Sequence, residues 1–567
     1  MKIKYIFLFI IGNLLISSCE NILDKGPLDK YDEQTVWSSP ELIQSFIYGS
    51  LQKTTDYLIQ SDQWSDNSTI QEDGTSASIN KEQIDRYYDA GWNCYKEIRP
   101  LNLVLEKVKT SAILMEKDKK YFTAQAKMMR GMIYFSKARQ FGKLMIIDRV
   151  LNPDEDMQFA RTSTIKETYD FIIKDLKEAA VDLPTDAANQ QGILTKGAAY
   201  ALLAEVAIHG AAYIESGQAE YYEIARQASE DLFRLGIYEL DANYKNIFND
   251  FTTAMNSKEI ILAQWRHESN TTFVNTFMQS MGPCTNNDKN IAEATPKLAD
   301  DFLAWPTMFP SVDLVNAYEV IDRDGTSKKW NETSYYRDFT SRGGYVSNAI
   351  YKNRDRRFYA SIAYDSCQYF NSIVTMRDKG NVHWNSNVFG DWGMTKTGYF
   401  YRKGVYEKKR IYHSDPTYYH CVILRLGRSY LNYAEVMLRQ NNVGKAIEYI
   451  NKTRTTHGGL PALSNSLSVT EAWQAYKNER RVELVMENDR YWSLLRWGKA
   501  NNLETIPELN INHQAISISS NGKAFQFIDL PFRRTDNVRS FTKKRYLFPV
   551  PQSEKDLNPK LDQNPGW

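Results

Sequence analysis

Residues 428–453 read RSYLNYAEVMLRQNNVGKAIEYINKT. Two helical segments, Arg428–Gln440 and Val443–Thr453, flank the short polar link Asn441-Asn442. Polar residues between two periodic apolar runs mark a turn. A helix–turn–helix unit of this size has tetratricopeptide dimensions. One such unit cannot bury its apolar face alone, so it implies neighbours of the same kind.

The first half of the chain supplies them. Over Thr123–Phe141, Met128, Met132 and Phe135 recur at i, i+4 and i+7, with Met129 and Ile133 alongside, which makes one apolar stripe. Thr164–Ala180 follows, with Thr164 placed as a cap and Tyr169, Ile172, Ile173 and Leu176 turned inward. In Thr195–His209, Ala198, Ala199, Ala201, Ala204 and Ala207 leave so little bulk that a neighbouring helix can approach closely; Tyr221–Leu235 is the expected partner. The predicted fold is mainly α, a right-handed scaffold of tetratricopeptide-like helix pairs.

Residues 264–420 read differently. They carry Gly343-Gly344, scattered Pro, many Tyr and Trp, and short mixed segments without a sustained period. This stretch is predicted to be an irregular, loop-rich subdomain inserted in the scaffold, which resumes at Arg428. Loops carried on a rigid scaffold are where binding residues usually sit.

The bulk composition is globular, with 42% hydrophobic and 25% charged residues among 567. Seventy basic against 69 acidic side chains leave a net charge of +1, so no global field draws the chain to nucleic acid or to an anionic bilayer. The aromatic fraction is 13%, with 36 Tyr and 12 Trp, a surplus suited to a binding surface because rigid rings give contact area at little entropic cost.

The amino terminus decides the address. Lys2 and Lys4 precede an apolar run from Tyr5 to Ile16, and Ile16-Ser17-Ser18 leads into Cys19. That run is too short to span a bilayer and has the form of a secretory signal, residues 1–18. A cysteine directly behind small residues resembles the bacterial lipobox, which makes Cys19 the expected lipidation site. Glu20 and Asp24 resemble the short acidic tag of lipoproteins sent to the outer face.

The remaining cysteines, Cys94, Cys284, Cys367 and Cys421, are widely spaced and form no CxxC, which excludes zinc-ribbon and thioredoxin readings. In an oxidising compartment they could pair or remain buried thiols, and spacing does not choose. The seven histidines make no HExxH or tight His/Asp cluster, and no GxSxG, P-loop or GxGxxG is present. Nothing asks for a cofactor or metal. Glu479, Glu483 and Glu487 lie at i, i+4 and i+8, so they share a helix face, where paired carboxylates can suggest glycoside hydrolysis. Neighbouring Arg480, Arg481 and Arg490 favour ion pairing instead, which keeps the carboxylates ionised and unfit as general acids.

The carboxyl terminus, Phe548-Pro549-Val550-Pro551, Glu554, Asn558-Pro559 and Gln563-Asn564-Pro565-Gly566-Trp567, is similar to the closing pattern of SusD/RagB lipoproteins. Glu479-Arg480-Arg481-Val482-Glu483-Leu484, Glu487, Arg490 and Leu495-Arg496-Trp497-Gly498 resemble that family's late helix, with Ser493 where Asp is usual. Trp92, Tyr95, Ile98 and Asn102 resemble its early helix. Ala126, Arg130, Tyr134 and Phe141-Gly142 resemble the next, with Gly131 and Lys137 replacing the usual Ala and Leu. Thr195–Ala204, Tyr433-Ala434-Glu435-Val436, Asn451 with Arg454, and Asn353–Arg357, with Arg356 in place of Pro, continue the resemblance over essentially all of residues 19–567.

The resemblance implies four tetratricopeptide-like pairs in a single domain, a variable subdomain bearing the ligand site, a lipid anchor in the outer membrane, and a SusC-type TonB-dependent transporter as partner. It implies a non-catalytic protein that captures oligosaccharides; a peptide-capturing relative and a surface glycoside hydrolase are the alternatives. Sugar capture needs flat apolar rings flanked by polar side chains. The expected ligand-binding residues are Trp64 with Asp66, Trp265, Trp305, Trp330, Trp384 and Trp392, whereas Trp92, Trp473, Trp492 and Trp497 sit in helical patterns and are expected in the core.

Overall fold

The computed structural model describes residues 33–54, 60–70, 75–186, 192–285, 296–299, 302–384, 393–408, 412–530 and 538–567. The signal segment with Cys19, and Trp392, lie outside the described residues.

The expected helical scaffold is present. Its helices are α1 (Pro40–Thr54), α2 (Tyr95–Thr110), α3 (Glu116–Phe141), α4 (Ile165–Asp182), α5 (Lys196–Tyr213) and α6 (Gln218–Arg234). After a long excursion come α7 (Leu426–Arg439), α8 (Val443–Thr456), α9 (Val469–Glu483) and α10 (Arg490–Ala500). Local signals set the starts. Thr164 accepts from the Glu167 amide, Thr195 from Ala198 and Asn442 from Lys445, and Ser468 with Glu471 closes a capping box on α9.

Each helix from α2 to α6 packs on the next, and α7 returns to pack on α5 and α6. The excursion is therefore spliced between two neighbouring helices. Helix α5 is buried almost all round, as a helix gripped from several sides must be. Small residues make this possible: a Cβ on Gly210 would stand 2.7 Å from both Tyr169 of α4 and Tyr221 of α6, and one on Gly131 would stand 3.0 Å from Leu176 of α4.

The excursion leaves and returns through one antiparallel ribbon, Ile260–Arg266 paired with Tyr419–Arg425. Between these strands lie short elements around a second core that includes Phe309, Trp330, Phe358 and Tyr399–Tyr401. That core also takes Ile70 from the start of the chain, Val482 and Val485 from the end of α9, and Ile516 and Ile518 from a hairpin, Gln514–Ile518 with Phe525–Asp529. The insert is thus completed by residues far outside 264–420. No helical period marks the hairpin in sequence, and its strands find their cover only in the folded chain.

Among the buried thiols, desolvation pushes Cys94 up to about 12 and Cys367 up to about 11, which leaves both as inert apolar groups at neutral pH.

Candidate functional site

Successive side chains in a strand point to opposite faces. In the ribbon, Arg266 pairs with Tyr419, Trp265 with His420 and Gln264 with Cys421. One face therefore presents Gln264, Arg266, Tyr419 and Cys421, and all four line a cleft of about 450 Å³. The other wall is built from the short turns Phe273–Asn275 and Phe277–Ser280, with Trp305 and Thr307 beside them. The Trp305 amide donates to the Gln279 carbonyl at 2.6 Å and the Thr307 amide to Ser280 at 3.0 Å, so the backbone under the ring is pinned. The ring itself is 43% exposed and leans on His413, centroids 5.7 Å apart. Arg266 donates from Nε to Gln264 Oε1 at 3.0 Å and from Nη1 to the Asn275 carbonyl at 3.3 Å, which fixes a planar cation in the wall. An open ring beside amides and a guanidinium suits a pyranose: the ring takes its C–H face and the polar groups its hydroxyls.

Trp265, in the same strand, faces away from this cleft. It stacks on His420 at 5.1 Å and meets Phe251 edge-on at 5.4 Å, in an aromatic cluster completed by Tyr418. Strand alternation alone puts it behind the wall.

Of the described ligand candidates, Trp305 alone lines this cleft. Trp330 is a core residue: it is 5% exposed, donates from Nε1 to Asn316 Oδ1 at 2.7 Å, and is enclosed by Tyr336, Phe525 and Phe527. Trp384 is likewise buried, over His383 and against Ala515 and Leu530. Trp64 donates to Ser76 Oγ at 3.1 Å and packs edge-on to Tyr491, Trp492 and Phe548. Asp66 is a structural anion, bound by Arg490 at 2.8 and 2.9 Å with Arg481 at 3.0 Å. These rings follow polar residues in sequence, but elements remote in the chain cover them. Gln264, Arg266 and Gln279 line the cleft as well and are not among the residues expected from sequence. The polar–Trp–polar order of Gln264-Trp265-Arg266 was the available signal, since alternation turns the flanking pair one way and the ring the other.

Residues 258–567 match the model of the SusD family. The chain belongs to the SusD family. Residues 22–208 match a second family model, described as starch-binding and associating with the outer membrane. The chain is 22% identical over 522 residues to a SusD-like protein of Bacteroides ovatus, covering 88% of this chain and 83% of that one. A solved SusD-like protein of Bacteroides fragilis aligns at 25% identity with a TM-score of 0.76, over 96% of this chain and 100% of that one. A SusD-like carbohydrate-binding protein of the same species aligns at 20% identity with a TM-score of 0.72, over 93% and 100%. Among the described residues no helix is long and apolar enough to cross a membrane.

The arginine- and glutamate-rich late helix of this SusD-family chain forms a buried ionic lattice. Glu479 and Glu483 bind Arg357 at 2.5 and 2.8 Å, while Glu483 and Glu487 bind Arg425 at 2.6 and 2.8 Å. Ion pairing is thus as expected, but the partners are not the adjacent arginines. Arg480 turns to Asp489, with Ser493 Oγ bridging the two, and Arg481 and Arg490 turn to Asp66. Neighbouring residues on a helix face different ways, so adjacency does not make pairs. Burial alone would raise Glu483, but His457, Arg425 and Arg357 hold it well below the usual carboxylate range.

His457 bridges Glu483 at 2.7 Å and Glu259 at 3.0 Å. Burial by itself lowers its pKa, but the two carboxylates outweigh this and lift it to about 10. The three ligand-type groups of Glu259, His457 and Glu483 are therefore satisfied as an ion triad, with Arg425 also on Glu259 at 2.8 Å. A folded pKa above the unfolded value of about 6.5 gives stability that is full below pH 6.5 and is lost as pH rises toward 10. Lys403, lowered by burial to about 8, acts in the opposite sense above pH 8. Between pH 6.5 and 8 the His457 contribution is expected to fall by ~1.4 kcal/mol per pH unit. Denaturant titrations across that window should show the slope in the parent and its loss in His457→Gln.

Proposed function

We propose that this SusD-family protein is a cell-surface lipoprotein, anchored through Cys19, that captures oligosaccharides at the Trp305 cleft and hands them to a SusC-type TonB-dependent transporter of the outer membrane without chemical change. The exposed, backbone-pinned ring of Trp305 beside Arg266 and Gln264 carries the reading. Family membership, the outer-membrane description of the family matched by the amino-terminal part, and the carbohydrate-binding relative support it. Commitment of the late-helix carboxylates to buried cations supports a carrier over a hydrolase.

An open platform must release what it binds, so affinity is expected to be modest. A stacked ring contributes ~1–2 kcal/mol, or about five- to thirtyfold in affinity. Calorimetric titration against panels of glycans and peptides should find an oligosaccharide ligand, and Trp305→Ala should weaken it by that factor with an unchanged melting temperature. A ligand drawn from the peptide panel would replace the substrate class. Unchanged glycan affinity in a folded Trp305→Ala protein would move the platform out of this cleft.

A further inference from the structure

Arg139 lies in the last turn of α3 and is 5% exposed. Its guanidinium is held between the ring faces of Phe135 at 4.8 Å and Trp492 at 4.9 Å. Among the described residues its Nε has no hydrogen-bond partner. Other buried arginines of the scaffold are answered by carboxylates: Arg130 by Asp175, Arg480 by Asp489, Arg490 by Asp66 and Arg496 by Glu435. Ring faces attract a guanidinium but do not replace an anion in a desolvated place.

Arg139 borders a cavity of about 350 Å³, within the range of small-ligand sites. Lys53, Lys96 and Lys137 line the same space against one carboxylate, Glu97, and Trp64 and Trp492 supply aromatic wall. Gln63 lines the first cleft and Trp64, the next residue, lines this cavity.

We propose that this cavity is a second ligand site, and that it takes the carboxylate of an acidic sugar, a uronate, on the Arg139 guanidinium with Lys137 beside it. A planar fork matches a carboxylate in bidentate fashion, and a space of about 350 Å³ has room for a sugar ring behind that carboxylate. The inference rests on the capture reading above and adds a substrate class to it: glycans that carry uronic acids.

The test is ligand-observed NMR titration of the whole protein with methyl β-D-glucuronide and methyl α-D-galacturonide. Each is compared with its uncharged methyl ester, which has nearly the same shape, and inorganic phosphate is added as a competitor. At least one acid is expected to bind tenfold or more tighter than its ester. Arg139→Gln should abolish that preference, and Arg139→Lys, which keeps the charge, should retain part of it. Lys137→Gln, at a partly exposed position, should reduce the preference even if Arg139→Gln fails to fold. Acids that bind no better than their esters would overturn the inference, and the capture reading would survive if neutral oligosaccharides still bind in a Trp305-dependent way. Displacement of the acid by equimolar phosphate would also overturn it, by showing a site for any small oxoanion. An Arg139-dependent preference found where Trp305→Ala changes no binding would sustain this site and remove the first.

Discussion

Replacing Arg425 by Met is expected to cost about 3–5 kcal/mol of stability, or to prevent folding, because it removes a cation shared by three buried carboxylates and leaves each with less than full compensation. Arg425 reaches Glu259, Glu483 and Glu487 at 2.6–2.8 Å, and all four side chains are 0–3% exposed. The pairs form inside the protein, where a lone carboxylate cannot be rehydrated. The control is Arg226→Met on the surface of α6, where Arg226 pairs with Glu223 and Glu230 at 2.5 and 2.6 Å but in contact with water. Its loss is expected to cost under ~1 kcal/mol. Urea denaturation of both variants gives the comparison, and equal costs would contradict the lattice's structural role. The same cations keep Glu483 and Glu487 below the usual carboxylate range, which disfavours either as a general acid at neutral pH.

Trp330→Ala is expected to lose about 3–5 kcal/mol by emptying a core site, and to leave Asn316 without its indole donor. Trp305→Ala, at a ring 43% exposed, is expected to change stability by less than ~1 kcal/mol. Denaturant midpoints for the two purified variants decide the matter. A Trp330→Ala protein as stable as the parent would return that ring to the list of surface platforms. Both tryptophans fall in the stretch without sustained period, Trp330 between Lys329 and Asn331 and Trp305 between Ala304 and Pro306, and the difference in their exposure is one of what folds over them. Phe525 and Phe527 of the carboxyl-terminal hairpin cover Trp330, while the Trp305 ring leans on His413 and stays 43% exposed.

The amino-acid sequence by itself determined the helical scaffold. Helix periods, the caps at Thr164, Thr195 and Asn442, and the alanines of α5 act over three or four residues, so they are legible wherever they occur. The motifs that place the chain in the SusD family were equally legible, since they include turn, cap and core residues of those same helices. What the tertiary structure alone decided is which cation meets which carboxylate, which rings stay open to solvent, and that Gln264 and Arg266 face the cleft while Trp265 does not. Arg357 and Glu479 lie 122 positions apart, and the ribbon that builds the cleft joins residue 266 to residue 419. Burial and charge pairing at such separations depend on packing between elements that local pattern does not encode, and so the same residue types read as a site in one loop and as core in the next.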